Sequence, residues 1–370
     1  MDRRFFLRVG AGTPAALAIA SPRVPDYKVV SNFKPAGTPM PGPYPGRVAS
    51  VHCERSIDAE SERVDKAAVT EMISGGMTAL TGERDARAAW ARFFTADDVV
   101  GIKINASGAP GICSAPEVVG EIAHNLIAVG VRPENIWVYE RNKSQVDTVP
   151  YEAHLPKGAH VVTADVYLGY DPFMYVETSF FGEDDTRSNL VRLVSDKLTK
   201  IVNVPNMKDH SAAGVTGCLK NIAYGDFNNV ARSHQHSDTN TFSFIGTLAA
   251  TEPLRSRTVL HVMDGLRGVW HAGPFSPDRR FRFYPKQMLF STDPVAADRL
   301  LLDIIDAKRK AEHAISVWDR DPETIAKRRE FRTNPNTNLF YREPGHIEYA
   351  SKLGLGVYDK SKIDVREIRI

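Results

Sequence analysis

The chain of 370 residues has little cysteine, little excess charge and no long apolar run. Each shortage excludes something. Cys53, Cys113 and Cys218 are too few for an iron–sulfur cluster held by four thiolates of one chain, and their odd number precludes full pairing. The net charge is +2, and without Asp2, Arg3, Arg4 and Arg8 the remaining basic and acidic residues are equal in number. A body so balanced lacks the basic field that nucleic acid or an anionic membrane surface selects. Beyond the N-terminal segment, no apolar stretch approaches the ~20 residues that span a bilayer. There is also no Walker loop, no His-Glu-x-x-His, no nucleophile elbow and no tight carboxylate pair.

What is present begins at the N-terminus. Arg3-Arg4-Phe5-Phe6-Leu7-Arg8 is a twin-arginine pattern, a weakly apolar stretch starts at Val9, and Ala18-Ile19-Ala20 is a small-residue cleavage site before Ser21. We expect residues 1–20 to be a signal peptide for the twin-arginine export machinery and the mature protein to be periplasmic or otherwise extracytoplasmic. That route carries proteins already folded, often with a cofactor in place.

Residues 21–96 read as an extended Pro/Gly-rich arm followed by helices, the first broken at Gly75-Gly76 and the second passing through Trp90 and Phe93. From Asp97 strands and helices alternate. Val99–Ile104, Ile136–Tyr139, Ala159–Thr163, Lys200–Val204, Val259–Met263 and Met288–Phe290 are the predicted strands. Pro116–Val129, Thr241–Ala250 and Pro294–Ala307 are the predicted helices. The segment 165–198 reads as an inserted hairpin or lobe whose Glu183-Asp184-Asp185 run is solvated. This order predicts an α/β fold: a largely parallel open sheet with helices on both faces, a core over 97–310, and a C-terminal segment 311–370 completing it.

Open parallel sheets bind ligands beyond the carboxyl ends of their strands. Those ends are Asn105, Glu140-Arg141-Asn142, Asn206-Met-Lys208-Asp-His210, Asp264 and Thr292-Asp293. His210 and Lys208 are the candidate catalytic pair, because an imidazole at a strand end suits proton transfer near pH 7. Gly214-Val-Thr216-Gly217-Cys-Leu-Lys220-Asn221 reads as a short glycine loop feeding a helix. Its backbone N–H groups would cradle a phosphate or carboxylate, and Lys220 would pair with an anion or bond covalently to a carbonyl. Asn105, Asp264 and Asp293 would shape the same pocket, although Asp293 before Pro294 is also a good helix N-cap. His234-x-His236-x-Asp238 offers metal ligands on alternate residues, or a polar loop in which Asp238 or Thr239 caps the helix at Thr241. A metal-dependent hydrolase centred on these three residues is one alternative. A periplasmic protein that binds a small anion without catalysis is another.

Val100-Gly-Ile-Lys-Ile-Asn105, Val202 to His210, Val215 to Asn221 and Ser291 to Asp298 together resemble the family called domain of unknown function 362. The likeness extends to the Leu-Gly-Leu-Gly run at 353–356. Many relatives carry ferredoxin-like cysteine clusters, which this chain lacks. His210, Lys220 and His236 are also similar in order and spacing to the catalytic histidine, cofactor lysine and nickel histidine of nickel-pincer lactate racemases. That resemblance implies an isomerase or oxidoreductase acting on a small anionic substrate. It implies nickel or another divalent metal on His236, with His234 as substitute, and an organometallic cofactor joined to Lys220. No histidine stands near Glu140-Arg141-Asn142, where those racemases have their second base.

Overall fold

The computed structural model describes residues 24–370 other than 36, 235–238, 276–277 and 327–329. The predicted signal peptide, His236 and Asp238 therefore lie outside the described residues.

The main path of the large sheet runs in the order Asp364–Arg369, Arg47–His52, Gln287–Ser291, Thr258–Val269, Lys200–Asn203, Val100–Lys103, Ile136–Glu140, His160–Thr163. Gln287–Ser291 is antiparallel to both neighbours, and the other pairings along this path are parallel. The α/β fold with a largely parallel sheet is the one predicted. Alternate strand residues divide two cores, as the period of two requires. Val202, Ile102 and Val138 pack with Val69 and Met72 of the helix Lys66–Thr81 and with Val119 and Ile122 of the helix Pro116–Ala128. Ile201 and Tyr139 belong to the other core, with Leu219, Phe244 and Leu301 from the helices Gly217–Asp226, Thr241–Ala249 and Pro294–Ala311. Among the described residues no helix is long and apolar enough to cross a membrane.

Several local expectations need correction. The helix Lys66–Thr81 passes unbroken through Gly75-Gly76 and ends at Gly82, which has φ +80°. Gly76 is a packing glycine: a Cβ there would meet the Phe290 ring at 2.2 Å. The strand Thr258–Val269 is far longer than its apolar run, because Gly265 and Gly268 sit within it as close-approach residues. A Cβ on Gly268 would lie 2.5 Å from the Met207 carbonyl oxygen. That closeness lets Asn206–His210, expected as loop, form a further strand alongside. The arm supplies Lys28–Val30 to a small second sheet with Tyr170–Glu177 and Arg187–Val191, the predicted hairpin. It also supplies Arg47–His52 to the interior of the main sheet. Glu183 is not simply solvated: it accepts the Phe181 N–H at 2.8 Å and pairs with Arg232 at 2.7 Å.

Candidate functional site

The helix Gly217–Asp226 frames the site. The chain leaves the strand Asn206–His210, pairs back through Gly214–Val215, and turns into the helix using positive φ at Gly214 (+72°) and Gly217 (+57°). Its first turn was expected to hold an external anion. The anion there belongs to the protein. Asp298, from the helix Pro294–Ala311, accepts the Cys218 and Leu219 N–H groups, the latter at 2.9 Å. A Cβ on Gly217 would stand 2.2 Å from Asp298 Oδ1, so glycine is required to admit the carboxylate. Burial outweighs these amide bonds and pushes the Asp298 carboxyl up to about 7. Gly214 and Gly217 therefore shape the turn, and the Cys218 and Leu219 N–H groups of the helix start are taken up by Asp298.

A chain of buried amides runs under the strand ends. Lys208 Nζ donates to Asn105 Oδ1, to the Ser107 carbonyl and, at 3.0 Å, to the Ile112 carbonyl. Asn105 Nδ2 donates to Asn221 Oδ1 at 2.9 Å, and Asn221 Nδ2 to Asn203 Oδ1 at 2.7 Å. Asn203 Nδ2 reaches the Cys218 carbonyl at 3.0 Å. The three donors of Lys208 are thus committed to the 105–112 loop, and burial brings its amine down to about 7.

Asn105, Thr216, Lys220, Asn221, His210 and His234 come together around a cavity of about 880 Å³. Asp264 and Asp293 do not line it. Asp264 lies inside the long strand, where its carboxylate accepts the Ala115 and Leu266 N–H groups at 2.7 and 2.9 Å. Asp293 follows the antiparallel strand and so lies at the opposite end of the sheet. It caps the Pro294–Ala311 helix at Ala296 N and ties in Gly46 N and Val357 N. Thr239, expected as a cap, hydrogen-bonds Thr241 Oγ1 at 2.9 Å, and Asn240 holds the cap position.

Lys220 is 6 % exposed, lies 3.5 Å from the Tyr224 ring centroid, and makes no ion pair or hydrogen bond among the described residues. Burial, reinforced by the Arg141 charge, holds its amine well below the ordinary lysine range. Arg141 is itself fixed by the Tyr224 carbonyl at 3.1 Å. Behind His210, the Asp209 carboxylate faces two buried guanidiniums, Arg342 at 2.6 Å and Arg309 at 3.5 Å, which leaves that layer positive.

The two imidazoles, 5.3 Å apart between ring centroids, present opposite functions. His210 Nδ1 accepts the Ala212 and Ala213 N–H groups at 3.1 and 3.2 Å. An amide N–H can only donate, so the neutral ring carries its proton on Nε2 and has no free lone pair. His234 Nδ1 faces the Ala231 carbonyl at 3.3 Å, which can only accept, and the Ser233 hydroxyl at 3.2 Å, which gives its own proton to the Val230 carbonyl at 2.9 Å; the imidazole proton therefore sits on Nδ1 and the Nε2 lone pair is open. His234 Nε2 and Thr216 Oγ1 are buried polar atoms without a partner among the described residues. Burial, with the Lys220 charge, keeps His210 well below its usual range and brings His234 down to about 3, so both rings are neutral near pH 7.

The family described as domain of unknown function DUF362 matches residues 100–303. This chain belongs to that family. The match spans more than half of the chain and holds every cavity residue named above. It carries no substrate, reaction or cofactor. No curated protein matches this DUF362 chain. Among its described residues no group of three histidines, cysteines or carboxylates is placed to hold a metal. Sequence reasoning picked out most of the buried polar floor but missed Tyr224 and did not give Arg141 a role. Arg141 was legible as a strand-end cation; Tyr224, one helical turn after Lys220, gave no signal apart from that spacing.

Proposed function

We propose that this DUF362 chain is an exported enzyme that binds a small organic anion in the cavity and moves a proton on it. One observation carries the reading: beside a buried Lys220, unpaired among the described residues, stand one imidazole that can only donate into the cavity and one that can only accept from it. Lys220, Arg141 and the Nε2–H of His210 would bind the anionic group, with Thr216 adding a hydroxyl. His234 Nε2 would take the proton, because His210 has no lone pair to offer. Acid–base work thus passes from His210, the first choice on sequence, to His234. A depressed Lys220 amine is also suited to bond a carbonyl. The group that the racemase resemblance implies would be joined to Lys220, with its metal on His236, which lies outside the described residues, or on His234 in place of that residue's work as base; it would supply hydride transfer.

The test is deuterium exchange. Protein from its own host is incubated in D2O with a panel of 2-hydroxy and 2-oxo acids, and proton NMR follows the carbon next to the carboxylate. Exchange that His234→Gln abolishes supports the reading. Saturable binding with no exchange or turnover would make the chain a binding protein instead. Elemental mass spectrometry on the same preparation decides whether nickel or another divalent metal is part of the site.

A further inference from the structure

The cavity is unequal from floor to mouth. Most of its deepest groups are polar: Asn105, Thr216, Lys220, Asn221 and His210 are all buried, Ser107, Arg141 and Asn142 are half-buried, and Arg332 is an exposed cation at the mouth. Two other segments add Ala272, Pro274, Phe275, Phe331, Leu339 and Phe340. Exposure rises along this apolar set. Phe331 packs into a small satellite core with Trp270 and Phe281, Leu339 and Phe340 are half-buried, and Phe275 is 59 % exposed. Phe340 lies beside the open imidazole, its ring centroid 6.3 Å from that of His234.

A two- or three-carbon acid would use the floor and leave the rest untouched. The volume of about 880 Å³ is in the upper part of the roughly 300–1,000 Å³ range of sites that enclose drug-sized ligands. Large aromatic side chains held partly in water at a cavity mouth lower the free energy of a ligand only if the ligand covers them. We infer that the substrate is an amphipathic organic acid: an anionic head seated against Lys220, Arg141 and His210, and an apolar or aromatic body lying along Phe331, Leu339, Phe340 and Phe275. This deepens the reading above and rests on it. Phe340 becomes a specificity residue, because it touches both the body of such a ligand and the ring that would act on it.

The experiment is calorimetric titration of the full mature chain with acetate, butyrate, hexanoate, 3-phenylpropanoate and phenyl phosphate. Affinity is expected to rise about three- to four-fold per methylene buried, with 3-phenylpropanoate bound more tightly than butyrate. Phe340→Ser should flatten the ratio of hexanoate to acetate affinity; it alters a half-buried residue, and circular dichroism checks that it folds. Phenyl phosphate distinguishes a phosphate head from a carboxylate one. A series flat in chain length, with acetate binding still lost in Lys220→Gln, overturns the amphipathic substrate and leaves the anion site standing. Binding of none of the probes overturns both.

Discussion

The carboxylate of Asp298 occupies the space that a side chain at Gly217 would need, and from there it caps the helix bearing Lys220. Gly217→Ala would set a non-glycine residue at φ +57° and drive its Cβ to 2.2 Å from Asp298 Oδ1. We expect a loss of about 2–4 kcal/mol of stability. Asp298→Ala would strand two buried N–H groups at a cost of about 2–5 kcal/mol. Urea unfolding reads both. A Gly217→Ala midpoint equal to wild type would show that the helix start is not held by this contact.

The two lysines should part company on mutation. Lys208→Met removes the donor that holds Asn105 and the Ser107 and Ile112 carbonyls, and should cost about 2–4 kcal/mol. Lys220→Met removes a buried amine that makes no hydrogen bond among the described residues, so its stability should equal or exceed wild type. Its affinity for organic anions should fall tenfold or more. Denaturation and calorimetry on the pair check this. A Lys220→Met protein as unstable as Lys208→Met would make Lys220 structural.

Asp226 ends the same helix; both carboxylate oxygens are buried and make no hydrogen bond of good geometry among the described residues, with Lys103 and the Tyr139 hydroxyl nearby. Lys103 is committed to Glu140 at 2.9 Å. Burial raises the Asp226 carboxyl to about 7, against an ordinary value of 3.8. The folded state then binds the extra proton between those values, so stability contributed by this group is present at low pH and lost as pH rises towards about 7. Asp226→Asn should remove that slope and be at least about 1 kcal/mol more stable than wild type at pH 8. Unfolding curves at pH 4.5, 6 and 8 give the comparison, and parallel pH profiles would refute it.

Nitrogen-15 spectra of the imidazoles test the division of labour directly. His210 should appear as the Nε2–H tautomer and His234 as the Nδ1–H tautomer, both neutral near pH 7. The reverse pair of tautomers would return the base to His210.

Much of the frame was readable in order along the chain. β-Branched runs alternating with helical periods dictated a parallel sheet with helices on both faces, and the strand-end positions of Asn105 and His210, with Lys220 in the helix that follows, put them in one crevice. These signals are local: a strand period, a helix period and a polar residue where each strand stops. The exceptions share a cause. Asp293 also stands at a strand end, but its strand runs the other way, and strand direction depends on pairing between distant segments. Gly76 read as a break because glycine marks both turns and close packing, and only its neighbour Phe290 settles which.

The sequence by itself determined which side chains were available for chemistry and near which strand ends they would lie, because propensity and periodicity are written over a few residues. The tertiary structure alone decided their roles. Asp298, eighty positions from Cys218, filled the helix cap that looked free for a ligand. Two backbone amides took the lone pair of His210, and one carbonyl opened that of His234. Residues 331–340, which carried no motif, closed an aromatic rim over the polar floor. Hydrogen-bond direction and burial are properties of what folding brings together, and no spacing along the chain encodes them.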